Sequence, residues 1–529
     1  MKKWFFLTLT ATFLLSGSLC QAQTEDHRIK ALEKKIEAMQ SAYENRIASL
    51  ENRIRDLEGR KVAVPATTPI STGTAATTKQ TLPPVPEAYS VQWMEQYAAQ
   101  LAATSAKQAE MIQKEKDSPK FEFHGYLRSG FGINGYGNTM APFQAPNSGA
   151  KYRLGNEAET YAETTFLSHM PESALPDGVI FDTQVRLAYV IPHDQSNSAD
   201  TETSLREAFG IARGVLSDAP GAAFWAGQRF YLRRDIHMND FFYRDMSGFG
   251  GGIEDYPLGD DGTRFALALL GGSSDDVDSS GTQFDENDYQ LNMNTVDVGI
   301  YDIPLGYGKL AFHGTFSDFN GDTFTETDGD TITFKSSEGL AANLFYDFPL
   351  TDTVSNAFGL QYGQGAASEF RALMTRPLGL IADGDTVLDV DDFEKFRVLN
   401  SMLLDEGGPW TYQAVMLYEE GDYGVTSDST NRWLSSGIRP VYHFSKHFSL
   451  AFEAGLDYTD NDRFGNGTLG KLTIAPQITP DAKHLSRPAI RAFLTYARWA
   501  DDFEGSAGSA DYADDKEGLT AGIQLETWW

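Results

Sequence analysis

From Phe121 to the end of the chain, apolar and polar positions alternate with a period of two. Phe121, Phe123, Leu127, Phe131 and Ile133 fall on one face of the first run, and Glu122, His124, Tyr126 and Arg128 on the other, because successive strand residues point to opposite sides. In a second run, Arg153, Glu157, Glu159, Tyr161 and Glu163 share a face, against Leu154, Ala158, Ala162 and Phe166. The spacing predicts a second strand through all of these residues. Further on, Phe181, Val185, Leu187 and Tyr189 oppose Asp182, Gln184 and Arg186. The last residues place Ile523, Leu525, Thr527 and Trp529 opposite Gln524, Glu526 and Trp528. Charged groups and rings keep company on the polar faces, as on the wall of a wet, lined lumen. A final strand that alternates and ends on a ring suits closure of a transmembrane sheet with an interfacial aromatic. An edge strand with an exposed Trp is the plainer alternative for that stretch.

The pattern before Phe121 differs. Residues 1–22 read as a secretory signal: Lys2 and Lys3, an apolar core from Trp4 to Leu15, and Cys20-Gln21-Ala22 before the cut, which implies export. In residues 23–60, Ile29, Leu32, Ile36, Met39, Tyr43, Ile47, Leu50, Ile54 and Leu57 recur at steps of three and four, the seam of a coiled coil with a stutter at Met39–Ile47. Residues 61–86 form a Pro/Thr-rich linker. Residues 87–120 show a weaker helical pattern ending at Pro119, a helical connector to the first strand. Residues 121–529 form one domain.

Composition narrows the class. The single cysteine, Cys20, falls in the signal, so the mature chain has no disulfide. No apolar run after the signal reaches the roughly 20 residues of a spanning helix. Glycine-rich and Asp/Asn-rich turns between short alternating segments point instead to an all-β, antiparallel transmembrane β-barrel carrying an N-terminal α-helical coiled-coil extension. The formal net charge of −31 argues against nucleic acid as a partner. It reads as outward-facing acidic loops that keep the molecule soluble, with loosely held calcium as the one cofactor they could attract.

The segments FHGYLRSG, KYRLGNEAETYAE, FWAGQRFYLRRDIHMNDFFYRDMSG, GIRPVYHF, SRPAIRAF and LETWW resemble, in order and spacing, the maltoporin family of outer-membrane sugar channels. The resemblance spans about Phe121 to Trp529 and is strongest at the two ends. The stalk resembles the N-terminal extension of sucrose-type porins. The resemblance implies a homotrimer of barrels of about 18 strands each, one loop of each folded inward, in contact with outer-membrane lipid and lipopolysaccharide. The stalk would lie in the periplasm, in reach of the cell wall.

A sugar presents flat apolar ring faces and a rim of hydroxyls, so rings along a path offer stacking while charges exchange hydrogen bonds with the hydroxyls. Alternation turns Tyr126, Tyr161 and Trp528 inward beside Arg128, Arg153, Glu163 and Glu526. The resemblance puts these three rings on an aromatic slide, and Arg128, Arg153, Glu163 and Arg206 on a polar track. It makes Trp225–Asp245 the constriction loop, with Arg233, Asp235, His237, Asp240 and Phe242. No further ligand spacing accompanies His237 and its aspartates, so no metal is expected there. No Ser/His/carboxylate set suggests an enzyme.

The chain also departs from the family pattern. Phe242 replaces a tyrosine, the loop Pro192–Ser204 has no aromatic residue, and Leu485 and Ser355 stand where two further slide rings are expected. The reading is facilitated, passive diffusion of oligosaccharides, maltodextrin-like or sucrose-like. A general non-selective porin and a barrel that anchors a periplasmic stalk are the alternatives.

Overall fold

The computed structural model describes residues 121–170, 175, 178–191, 202–274, 291–325, 331–351, 354–373, 386–424, 430–461 and 465–529. The expected signal, coiled coil, linker and connector lie outside the described residues, as does most of the Pro192–Ser204 loop. The wall is an 18-stranded antiparallel sheet. Its strands are β1 (Phe121–Asn134), β2 (Thr160–His169), β3 (Ile180–Ile191), β4 (Glu202–Arg213), β5 (Ala223–Arg229), β6 (Gly248–Pro257), β7 (Arg264–Ser274), β8 (Leu291–Leu305) and β9 (Gly308–Asn320). They continue as β10 (Ser337–Thr351), β11 (Val354–Gln364), β12 (Glu394–Leu404), β13 (Trp410–Asp422), β14 (Thr430–His443), β15 (Phe448–Asn461), β16 (Gly465–Ile478), β17 (Ala489–Trp499) and β18 (Glu517–Trp528). Each pairs with its sequence neighbours, and β18 pairs back onto β1, with Tyr126 opposite Trp528 and Arg128 opposite Glu526. Closure leaves no backbone edge for the hydrocarbon to desolvate.

Alternation works as expected along the wall. Outward residues such as Leu269, Met416, Leu472 and Ile523 are exposed, while inward neighbours such as Asp297, Gln361, Glu453 and Lys471 are buried. This inverts a soluble protein, and apolar lipid tails are the solvent that makes it stable. Rings ending the apolar band on β13 to β15 form a girdle patch: Trp410 lies 4.8 Å from Tyr442 and Tyr442 lies 4.9 Å from Phe444, by ring centroids. These sit at the end where β1 begins and β18 finishes. The tightest turns, at Gly306-Tyr307 and between Thr351 and Val354, are at that end too, which marks it as periplasmic.

Among the described residues, two of the connections that fold into the barrel carry most of the candidate residues. The one between β5 and β6 carries a small hairpin, Arg234–Ile236 with Phe241–Arg244. Its Ile236, Met238, Phe241 and Tyr243 pack on Ala311, Phe345, Leu399, Val415, Leu417 and Trp433 of the wall. Wall side chains then satisfy its backbone: the Tyr243 carbonyl accepts from Gln361 at 3.0 Å and Arg397 at 2.7 Å, and the Met238 carbonyl accepts from Arg439 at 3.0 Å. The inward part of this connection runs over 230–247, and Trp225 to Arg229, expected in it from the sequence, belong to wall strand β5.

The connection between β1 and β2 also folds inward, which the alternation concealed. Arg153, Glu157 and Glu159 do not precede Tyr161 on one strand; β2 begins only at Thr160. Gly155, at φ +70°, turns the chain so that its neighbours' carbonyls meet wall strands β16 and β18. The Leu154 carbonyl accepts from Lys471 at 2.5 Å and Thr473 at 3.0 Å, and the Glu157 carbonyl accepts from Gln524 at 2.8 Å. Tyr152 is buried in a slot over Gly437 and Gly455.

Candidate functional site

The two inward segments meet the wall on several sides: Tyr231 and Met246 pack on Ile211, Trp225 and Leu270, Ile236 to Tyr243 pack on Phe345, Leu399 and Trp433, and Arg153 reaches β1 and β18. Most of the residues singled out in the sequence gather around β1, β2 and β18. Register explains why: on β1 and β2, Tyr126 pairs with Glu163 and Arg128 with Tyr161, and across the closure Tyr126 pairs with Trp528. Tyr126 and Tyr161 have centroids 6.1 Å apart at 57°, and Arg128 lies over the Tyr161 ring at 5.0 Å. Tyr161 donates to Glu163 at 2.5 Å.

Arg153 reaches the same cluster from its inward segment. It donates to the Tyr126 hydroxyl at 2.7 Å and to Glu157 at 2.9 Å, and lies 3.4 Å from Glu526. Asp240, at φ +55°, stands 3.8 Å from Arg128 and 4.0 Å from Arg153. His237 faces Arg153 at 3.2 Å through one ring nitrogen and Arg487 at 3.3 Å through the other. Burial and the Arg153 charge hold its pKa well below the usual range, so it serves as a neutral partner.

Next to this cluster, Arg233 is sandwiched between Phe242 at 3.9 Å and Phe230 at 4.0 Å. Phe230 also receives Arg186 at 5.2 Å and Arg206 at 5.5 Å. Arg206 does not follow the regular alternation of β4. It is the extra residue of a bulge, since Arg186 pairs with Glu207 and Leu187 with Leu205, and it is exposed. Asp235 is exposed on the hairpin, opposite Phe242 in register. Leu485 is partly exposed, and Ser355 is on an inward register position of β11, beside Leu403 of β12.

Sequence reasoning missed Phe230, Arg439, Arg487 and Arg491, and placed Arg186 on a polar face without giving it a role. Arg491 and Arg487 both bind Glu526, at 2.8 and 2.6 Å, and Arg439 and Lys471 share Glu453 at 2.5 and 2.8 Å. Alternation could have marked Arg439 and Arg491 as inward, but not which distant segment each would meet. Among the described residues no group of three or more His, Cys, Asp or Glu is placed to hold a metal ion.

A closed 18-stranded wall with a polar interior and an apolar exterior defines an outer-membrane porin, a passive channel rather than an enzyme. Residues 121–529 match the family model described as LamB porin, and the chain belongs to that family. Solved structures with a similar fold include the outer-membrane channel DcaP of Acinetobacter baumannii, at 11% identity and TM-score 0.40 over 77% of this chain and 97% of that one. Another is a BenF-like porin from Pseudomonas fluorescens, at 12% identity and TM-score 0.43 over 77% and 98%.

Proposed function

We propose that the channel passes oligosaccharides by facilitated diffusion, along a path over Tyr161, Tyr126 and Trp528 flanked by Arg128, Arg153, Glu163 and Arg206. The observation that carries this reading is the continuous strip across three neighbouring strands, in which two tyrosine rings lie side by side and the next inward residue on each strand is charged. Rings supply shallow stacking for a sugar face, and the charges trade hydrogen bonds with its hydroxyls. Each contact is weak, which a conducting path requires. The hairpin with Arg233, Asp235, His237, Asp240 and Phe242 sets the width and places opposite charges across the opening. The missing rings at Leu485 and Ser355 favour short sugars, a di- or trisaccharide, over long maltodextrins. The working unit is a homotrimer embedded among outer-membrane lipid and lipopolysaccharide, with the stalk in the periplasm near the cell wall.

Titration of sugars against single-channel current tests this: saturable block supports it, and indifference to every sugar removes it. A non-selective porin is the second reading, and one observation favours it: guanidinium groups already lie on ring faces that a sugar would use, Arg128 on Tyr161 and Arg487 on Trp528.

A further inference from the structure

Two wall strands away from the ring strip break register near the periplasmic rim. On β8, Tyr301 and Asp302 together oppose Ala311 of β9, because Ile300 pairs with Phe312 and Ile303 with Leu310. On β6, Glu254 and Asp255 oppose Ala266 of β7 in the same way, since Ile253 pairs with Leu267 and Tyr256 with Phe265. Each bulge holds an aspartate in the left-handed region, Asp255 and Asp302 both at φ +57°, a conformation uncommon outside glycine and often kept at functional sites. The two bulges are tied together. The Tyr301 hydroxyl accepts from the Asp255 amide at 2.8 Å and donates to its carboxylate at 3.0 Å, and Arg264 lies 2.8 Å from Asp255 and 3.6 Å from Asp302.

A bulge re-aims a side chain. Regular alternation would send Asp302 toward lipid; instead it meets the inward Lys309 of β9 at 3.0 Å. These groups line a cavity of about 260 Å³ between the wall and the base of the inward hairpin. From the hairpin, Arg234 donates twice to Asp347 of β10, at 3.1 and 2.8 Å. Tyr301 gives the cavity a ring, stacked on His313 at 6.2 Å and 12°. By strand order β9 stands half-way round the closed wall from β18, so the cavity is separate from the path over Tyr161, Tyr126 and Trp528.

We propose that this cavity is a second carbohydrate subsite, sized for one sugar ring, near the periplasmic exit. The inference rests on the sugar-passage reading above and deepens it. Each cation stands beside a carboxylate, so the cavity offers donors and acceptors side by side, the set that neighbouring sugar hydroxyls engage. An ionic solute would meet repulsion as well as attraction there. The volume is at the small end for a ligand pocket, which suits one unit rather than a chain. The Lys309 and Asp347 side chains are 57% and 40% exposed, so the pairs are open to a solute rather than sealed behind the hairpin. Conduction needs weak, repeated sites, and this one offers a unit that has left the rings a place to rebind before release.

The test is photolabelling of the full-length protein in detergent with a diazirine derivative of glucose, mapped by peptide mass spectrometry, after each variant has shown open conductance in salt alone. The native chain should be labelled both within 300–313 and beside Tyr126, Tyr161 or Trp528, and unlabelled glucose should compete at both. In Asp302→Asn/Lys309→Ala, where asparagine keeps the size and tolerates the left-handed backbone, labelling within 300–313 should fall by about fivefold or more, since charged hydrogen-bond partners are lost. Labelling of the ring strip should then change by less than about twofold, as expected of distant sites. Tyr161→Ala should do the reverse. A labelled strip without labelling at 300–313, or cavity labelling untouched by the double variant, overturns this inference and leaves sugar passage standing. So does cavity labelling that glycine, a zwitterion, displaces and glucose does not. Labelling at neither place overturns both.

Discussion

Arg128 and Tyr161 are register partners on β1 and β2, and the guanidinium lies over the phenol ring at 5.0 Å. The same arginine is tied to Glu159 at 2.5 Å, so it is fixed beside the ring rather than free to sweep the lumen. The pair places an aromatic ring and a fixed row of donors side by side on the inner face of the wall.

Removing the ring should therefore weaken sugar block far more than it alters ion flow. Tyr161→Ala is expected to lower the affinity for a blocking sugar by about five- to tenfold, the equivalent of about 1–1.4 kcal/mol for one stacking contact. The open conductance in salt should shift little. Equal loss of both would mean that the residue shapes the pore rather than the binding path.

The slot for Tyr152 gives a second expectation. A Cβ at Gly437 would stand 2.2 Å from Tyr152 Cε1, and one at Gly455 would stand 2.1 Å from Tyr152 Cδ2. Both glycines lie on the barrel wall, where the strands themselves would accept alanine. Gly437→Ala should thus leave the barrel folded but push the inward segment 135–159 off the wall, and Tyr152→Ala should loosen the same segment by removing its anchor. Current noise and open conductance, measured against the native channel, would show it; a native trace in both variants would contradict the packing argument.

Much of this wall was legible in the sequence, and the reason is specific. Lipid outside and water inside force a strict two-residue period, so the faces of Phe121–Ile133 and of the final strand followed from alternation alone. The inward segments obey no such rule. Arg153 and Glu157 alternate as if on a strand, yet they belong to an irregular stretch whose carbonyls are bonded by Lys471, Thr473 and Gln524, partners more than three hundred residues away. The glycines at 149 and 155 and the asparagine at 147 were the local signs of a break. Likewise the missing ring at Leu485 could be read, but not that Arg487 would lie against the Trp528 indole, because that depends on the path of the loop.

Glu453 carries the third prediction, on stability. It is buried between Arg439 at 2.5 Å and Lys471 at 2.8 Å, and these cations also hold the carbonyls of Met238 and Leu154, one from each inward segment. Glu453→Ala would leave two buried cations without their shared carboxylate, a loss of about 3–5 kcal/mol. The temperature at which the barrel unfolds in detergent should fall clearly, read by the gel shift between folded and heated forms. Arg491→Ala would leave Glu526 with Arg487 and Arg153, and should cost less.

The residues ahead of the barrel give the fourth. Residues 24–86 precede the matched porin region, so a chain lacking them should insert into a bilayer with unchanged conductance and unchanged sugar block. Loss of either would tie the extension to the channel and favour the anchoring alternative.

Sugar passage itself is best tried by single-channel conductance in a planar bilayer, with maltose, maltotriose, maltohexaose, sucrose and raffinose titrated in turn. The lumen described above predicts saturable block by di- and trisaccharides, weakened by Tyr161→Ala, with little further gain from maltotriose to maltohexaose. Current that falls with none of these sugars would contradict it, leaving a general porin whose ring-lined wall does not bind them.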